Sequence, residues 1–447
     1  METLDSLKSG LASGRLAGAT GIKLCDGLRE FPSELFALAD SLIFLNLSDN
    51  QLTELPAEFD RFQQLEIVFF NNNCFEQFPV VLANCPRLSM VSFKNNAIAH
   101  IEPNALSAQI RWLILTNNNL TSLPDSIGNL HKLQKCMLAG NGLTVVPRAL
   151  LDCERLELIR LSANRLETFP DWLLTLPRLA WIACAGNPFS PKDTLRSSEE
   201  ALREIDADEL TFGEVLGEGA SGVIYKGIWN TLEQRRTVAI KLFKGEITSD
   251  GSPLDEMRAC IAAGSHPNLV TVLGRYQEEG KTGLVFSFIP SSYKNLGGPP
   301  SLESCTRDTY DLGVSFSFDQ ILKVAYGIAS VEAHLHRRGI MHGDLYAHNI
   351  LIDEKGHSIL GDFGAASFYE VETDNHALER VEVRAFGCLL EDLLERCADI
   401  SAVDTVRFET LEKLREACMQ PAVERRPLFD SICSCLAGLD LLNCILT

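Results

Sequence analysis

The sequence predicts a mixed α/β chain in two parts, a solenoid of short repeats over residues 19–195 and a two-lobed domain over residues 209–447. Three observations carry this. One apolar pattern recurs at a nearly constant period through the first part, with an Asn at the same place in each copy. The pattern stops after Asn187-Pro188-Phe189. Beyond it come a glycine-rich strand pair, a strand bearing a Lys, and later an Asp, an Asn and a second Asp close together. At 447 residues the chain exceeds one ordinary hydrophobic core, which agrees with two or more domains.

The repeats begin at Leu42, Leu65, Leu88, Ile110, Leu133, Leu156 and Leu179, at steps of 23, 23, 22, 23, 23 and 23 residues. Each follows L-x-x-L-x-L-x-x-N-x-L, and most continue to x-x-L-P. The recurring Asn is Asn50, Asn73, Asn96, Asn118, Asn141, Asn164 and Asn187. This is the leucine-rich repeat pattern. An eighth, weaker copy (IKLCDGLREFP) carries Gly27 in the Asn place, as a degenerate end repeat would, and residues 1–18 form an N-terminal cap segment. Each unit supplies a short strand with its Leu side chains inward. The Asn meets backbone N–H and C=O groups of the corner, which cannot be left unpaired. No unit buries its own apolar face, so the units stack.

Strand positions between the Leu residues line the concave face. The first row reads Phe44, Ile67, Met90, Trp112, Lys135, Leu158 and Trp181, and a second row adds Phe69, Ile114 and Met137. Clusters of exposed aromatic and Met side chains mark binding surfaces. The candidate partner-binding set is therefore Phe44, Phe69, Met90, Trp112, Ile114, Met137 and Trp181. The competing reading is that these residues pack only on one another. The partner would be a second protein or the second half of this chain.

Composition excludes several classes. The net charge is −20, divided as −5 over residues 1–200 and −15 over the rest, and such a surface repels nucleic acid. The fourteen Cys have no metal-ligand spacing, and several occupy apolar repeat positions, as Cys136 does, so they read as reduced core residues. The N-terminal stretch has no apolar signal-peptide core, and no apolar run is long enough to cross a membrane. With L-P rather than G-x-I-P repeat endings, the expectation is a cytoplasmic protein and not a cell-surface receptor. The terminal Cys444-Ile445-Leu446-Thr447 has a C-a-a-X shape but reads as the apolar end of a packed helix. Residues 196–208 form a linker in which Ser197-x-x-Glu200 is a capping box opening a short helix.

The second part carries the chemistry. Residues 210–228 alternate apolar and polar and contain Gly217-x-Gly219-x-x-Gly222-x-Ile224, whose glycines let a backbone approach phosphates. A second strand follows with Val238-Ala239-Ile240-Lys241, supplying a cation. Residues 318–340 form an amphipathic helix leading to His342-Gly343-Asp344-Leu345-Tyr346-Ala347-His348-Asn349-Ile350-Leu351, and Asp362-Phe363-Gly364 comes next. An acid that takes a hydroxyl proton, with an Asn and an acid that hold a metal, is a phosphoryl-transfer constellation.

This set resembles the eukaryotic-type protein kinase over residues 208–447. The resemblance implies ATP and Mg2+ as cofactors, a protein substrate, and most simply a serine/threonine acceptor. It gives Asp344 the role of base and Asn349 and Asp362 those of metal ligands. Lys241 would pair the α/β phosphates and a helix glutamate, Glu256, with Asp255 the competing neighbour. The nucleotide site would comprise Leu216, Gly217, Gly219, Gly222, Ile224, Ala239, Lys241, Phe286, Phe288 and Leu351, with Ser287–Ile289 bonding the adenine edge. Phe363 would pack beside His342, Glu382 would stand where the family has Asp, and Arg426 would seek a carboxylate among Glu370, Glu372 and Glu379 because no A-P-E is present.

Two further departures lie in and after the catalytic loop. Gly343 replaces the Arg that grips an activation-loop phosphate, and the segment after Asp362 is short, with Ser367, Tyr369 and Thr373 as hydroxyl acceptors. An enzyme not gated by loop phosphorylation is expected. Tyr346 replaces the Lys of serine/threonine kinases, and H-G-D-L followed by N-I-L also resembles aminoglycoside and choline phosphotransferases. A small-molecule kinase and a non-catalytic scaffold are therefore the alternatives.

Overall fold

The computed structural model describes the chain except for residues 1–2, 192–201, 220, 232–233, 246, 249, 279, 372–374, 400–404 and 447, and the side chains of 440–446. It divides into two compact units, Met1–Arg178 with Asn187–Phe189, and Leu179–Gly186 with Ser190–Thr447. The expected capping box at Ser197 and Glu200 lies outside the described residues.

The first unit opens with helix α1 (Leu4–Ala12), capped by the Thr3 hydroxyl, which accepts from the Ser6 N–H at 3.2 Å. Seven three-residue strands follow, β1 (Gly21–Lys23), β2 (Phe44–Asn46), β3 (Ile67–Phe69), β4 (Met90–Ser92), β5 (Trp112–Ile114), β6 (Lys135–Met137) and β7 (Leu158–Arg160). They pair in parallel and in sequence order, each shifted by one repeat. Proline precedes most of the 3-10 turns that carry the chain back, its fixed φ setting their entry. Leu45, Val68, Leu113 and Cys136, the middle strand residues, are fully buried.

The repeat Asn does more than close its own corner. Asn118 donates its side-chain N–H groups to Leu115 O (3.1 Å) and Thr116 O (3.3 Å) in its own repeat, and to Phe93 O (2.9 Å) in the one before. Its oxygen accepts from the Ile98 N–H at 2.9 Å. Asn50, Asn73, Asn141 and Asn164 repeat this bridging between units. The residue before it is left-handed in successive repeats, at Asp49, Asn72, Asn95, Asn117, Gly140 and Ala163, and small or Asx residues tolerate that conformation. Asn118→Ala strands several buried backbone groups at once, so the repeat unit loses about 2–4 kcal/mol of stability. Urea unfolding of the full chain followed by circular dichroism checks this, and an unshifted first transition would show that water replaces the Asn.

In the second unit β8 (Trp181–Ala183) and β9 (Glu204–Ile205) precede a run of long strands: β10 (Leu210–Glu218), β11 (Gly222–Asn230), β12 (Arg235–Phe243), β13 (Val272–Glu278) and β14 (Lys281–Ser287). The sheet order is β10-β11-β12-β14-β13-β9, antiparallel save for β13 with β9. Part of the expected linker is thus the edge strand of this sheet. Helix α2 (Pro253–Ala263) is inserted before β13, opened by Pro253 and the Ser252 cap. One face of the sheet closes on Ile205, Trp229, Val238, Ile240, Tyr276 and Val285.

The remainder is mainly helical. Helix α3 (Phe318–His336) starts at a capping box of Ser317 and Gln320 and ends short of the expected residue 340. Short strands β15 (Lys294–Asn295), β16 (Ile340–Met341), β17 (Ile350–Ile352), β18 (Ser358–Leu360) and β19 (Ser367–Phe368) frame the loops that carry Asp344, Asn349 and Asp362, and α4 (Ala377–Leu394), α5 (Thr405–Cys418) and α6 (Phe429–Leu446) complete the lobe. Cys444 therefore lies within the last helix. Among the described residues no helix is long and apolar enough to cross a membrane.

Candidate active site

Gly219 N–H donates to Gly222 O at 2.9 Å, closing the turn between β10 and β11. Gly217 and Gly219 have open space where a Cβ would stand, the room a phosphate needs. Gly222 is different: a Cβ there would strike Leu242 O on β12, so this glycine serves strand packing. Lys241 lies opposite Ile224 on β11 and Leu284 on β14, and Ala239 lies opposite Phe286. Leu216 is exposed on β10, Phe286 is buried, and Lys226 Nζ sits 5.6 Å over the Phe288 ring. Ser287 N–H is already bonded to Thr271 O at 2.9 Å.

Lys241 forms an ion pair with Glu256 of α2, while the competing Asp255 faces Arg258 at 3.4 Å. The pair is nearly sealed from water, Lys241 being 12% and Glu256 2% exposed in their side chains. Burial works against the charge on Lys241, but Glu256 and Asp362 outweigh it and hold its pKa above the ordinary lysine value. Lys241 therefore stays cationic.

Asp344, Asn349 and Asp362 converge from two adjacent loops. Asn349 donates its side-chain N–H groups to Asp344 O (2.9 Å) and to Asp344 Oδ2 (2.8 Å). Gly361 N–H donates to Asn349 O at 3.0 Å, which holds the Asp362 segment beside the loop. Asp362 is left-handed, at φ +56°, and its Oδ1 accepts from the Gly364 N–H at 3.2 Å. Asp tolerates this conformation better than most residues. The His342 ring bonds Gly361 O at 2.9 Å and packs 5.1 Å from the Phe363 ring.

Beneath the loop lies a buried polar cluster of which motif spacing marked only Glu382. Glu382 of α4 accepts from the His342 N–H at 3.1 Å and the Gly343 N–H at 2.6 Å, and lies 2.9 Å from His336 Nε2 of α3. Burial alone would raise Glu382, but His336, His342 and the Gly343 N–H hold it below the usual carboxylate range. Burial first, then Glu382, pushes the neighbouring Glu332 carboxyl well up. Glu382 thus ties the backbone of the loop to α3 and α4. Glu332 and His336 were legible only as polar residues four apart on a buried helix face.

Asp308 is a second unmarked residue. Its carboxylate accepts from the Ala347 N–H and pairs with His348 Nδ1 at 2.7 Å. Burial opposes charge on His348, but Asp308, with Asp344 and Asp362 adding, raises its pKa above the ordinary imidazole value. A raised folded-state pKa stabilises fully below the unfolded value of about 6.5 and loses that contribution as pH climbs through the folded value. The melting-temperature gap between wild type and His348→Gln should therefore narrow as pH rises from about 6 upward. A gap that widens would contradict the Asp308–His348 pairing.

Several expectations need correction. Trp181, assigned to the partner face, is 2% exposed and belongs to the second unit, where its ring stacks on Tyr346 at 4.4 Å and 6°. Met90 and Met137 are also buried and do not form part of an exposed face. Phe44, Phe69, Trp112 and Ile114 remain half-buried, with Phe44 edge-on to Phe69 and Lys135 Nζ over the Trp112 ring at 4.4 Å. Arg426 donates to Gln420 O (2.8 Å) and Arg380 O (3.1 Å), while Glu379 is taken by the Phe429 N–H and His376. Burial lowers the Arg426 pKa to about 9. Glu372 and Thr373 lie outside the described residues. The described cysteines are free thiols, mostly buried, in keeping with their reading as core residues.

A glycine-floored strand pair, a buried Lys–Glu pair, and a loop carrying Asp344 and Asn349 beside Asp362 define a protein kinase domain. Residues 210–409 match the family of protein tyrosine and serine/threonine kinases, and residues 41–62 and 108–166 match leucine-rich repeat families. The chain carries leucine-rich repeats followed by a protein kinase domain. It is 29% identical over 164 residues to a probable serine/threonine-protein kinase, gdt4, of Dictyostelium discoideum, covering 37% of this chain and 9% of that protein. It is 29% identical over 208 residues to L-type lectin-domain containing receptor kinase VIII.1 of Arabidopsis thaliana, covering 44% and 26%. A probable LIM domain-containing serine/threonine-protein kinase of Dictyostelium discoideum is 26% identical over 282 residues, covering 55% and 41%. The chain thus spans less than half the length of each of these relatives.

Proposed function

We propose that this chain is an ATP- and Mg2+-dependent protein kinase of the serine/threonine type, whose repeat face binds a protein partner. The observation that carries the reading is the Asn349–Asp344 contact, which aims one carboxylate while the Lys241–Glu256 pair stands ready beside Asp362. Asp344 accepts the proton of an incoming hydroxyl as that oxygen attacks the γ-phosphate of ATP. Lys241, kept charged, holds the α/β phosphate oxygens, and Gly217 and Gly219 leave room for the triphosphate. Asn349 and Asp362 offer oxygen donors, the hard ligands that Mg2+ takes, and would hold it. When bound, Mg2+ neutralises charge on the transferring phosphate.

The Ser/Thr assignment leans on the named relatives, and Phe44, Phe69, Trp112 and Ile114 are the proposed partner contacts. The free thiols favour a reducing, cytoplasmic setting. Incubating the purified full chain with labelled ATP, Mg2+ and either generic protein or small-molecule hydroxyl acceptors tests the reading. Phosphoserine or phosphothreonine on protein is the expected product. Label confined to small molecules, or no label at all, would overturn it.

A further inference from the structure

We infer that Trp181 is a positioning residue of the active site: the strand Trp181–Ala183 clamps the loop that carries Asp344 to the segment that follows Asp362. The inference rests on the kinase reading for its catalytic consequence, but its geometric basis is independent of that reading. Trp181 Nε1–H donates to Leu345 O at 3.0 Å, one peptide from Asp344. Its ring lies flat on Tyr346, which in turn stacks on His348 at 5.0 Å and 30°. Three consecutive aromatic rings therefore brace the loop, and Asp308 holds the far end at His348.

The residue that follows the strand reaches the second loop. Cys184 N–H donates to the Ser367 hydroxyl oxygen at 2.9 Å, and that hydroxyl lies 3.4 Å from Ala365 O. Between these contacts the strand backbone lies against Gly343, where a Cβ would stand 2.5 Å from Ile182 O and 2.7 Å from Ala365 O. So the strand sits between the base-bearing and acid-bearing loops and touches both. Gly343 and Tyr346, two of the residues that depart from the family, both lie against it. Ser367, one of the hydroxyls a regulatory kinase would need, is 2% exposed and already bonded to the strand. Loop order here comes from the chain's own strand, with no added phosphate.

Displacing a catalytic group by a fraction of its contact distance costs turnover far more than nucleotide affinity. In the full chain, Trp181→Ala should lower kcat about 100-fold and leave the KM for ATP within about twofold. Trp181→Phe keeps a stacking ring, loses the N–H donor, and should fall between wild type and Trp181→Ala. Hydrogen–deuterium exchange read by mass spectrometry should show faster exchange across residues 342–349 and 365–368 in Trp181→Ala. If wild type shows no turnover, the kinase reading fails, and exchange alone decides the clamp. If Trp181→Ala does not fold, Trp181→Phe carries both measurements. Unchanged kcat together with unchanged exchange in a folded variant overturns the clamp, and so does unchanged exchange alone where no variant turns over. A rise in the KM for ATP with kcat preserved also overturns it.

Discussion

Asp344→Asn lowers protein phosphorylation by about 10²- to 10⁴-fold, the range for loss of a general base, and leaves the melting temperature and the KM for ATP near wild type. The change is nearly isosteric. Asn349 still finds an acceptor at Asp344 O and at the side-chain oxygen, so the loop keeps its two internal bonds. What is lost is the proton acceptor, equivalent to about 3–5 kcal/mol of barrier. Lys241→Ala is a less clean control, because it leaves the buried Glu256 without its cation and costs stability as well as activity. Steady-state kinetics with a protein acceptor, beside thermal melting, makes the comparison. Full turnover in Asp344→Asn would mean that another group accepts the proton.

The parts of the fold set by short-range repetition were plain in the sequence. A period of 22–23 residues announced the stacked strands, and alternating apolar residues around Gly217 and Val238 announced the strand pair and its Lys. Asp344, Asn349 and Asp362 were likewise legible because their spacing is local, within one loop and its neighbour. Glu256 was legible only to within one residue, since helix phase decides whether it or Asp255 faces Lys241.

What escaped the sequence is long-range and polar. Asp308 meets His348 across 40 residues, and Glu332, His336 and Glu382 meet under the loop from two helices. Glu382 was marked by its motif, but Asp308, Glu332 and His336 each look alone like a solvated or helix-capping residue. Trp181 was legible only in part: its place in the repeat register points to a concave face whose partner could be a second protein or the second half of the chain, and its actual neighbour, Tyr346, is 165 residues away in that second half. The clue available in advance was that Gly343 and Tyr346 are odd together. Two unusual residues three apart in one loop imply a neighbour that both must fit, but the sequence does not say which.

Gly343→Arg, which restores the residue the kinase family places before the base, should damage this protein. Gly343 is left-handed, at φ +74°, and its N–H is held by Glu382 at 2.6 Å, so the backbone cannot rotate away without losing that bond. A side chain in that conformation costs about 1–2 kcal/mol. The Cβ would also stand 2.5 Å from Ile182 O and 2.7 Å from Ala365 O, both backbone atoms with little freedom to retreat. Overpacking of this kind adds about 1–3 kcal/mol. Gly343→Ala, which meets only these two penalties, should lose about 2–5 kcal/mol, and at about 2–4 °C per kcal/mol its melting temperature falls accordingly. Gly343→Arg should fall further, because the rest of the side chain must pass the same two carbonyls. Differential scanning fluorimetry of wild type, Gly343→Ala and Gly343→Arg checks the order. If Gly343→Arg melts at or above wild type, Gly343 is a relic of lost function. The close approach of Ile182 and Ala365 predicts instead that glycine is what the loop requires.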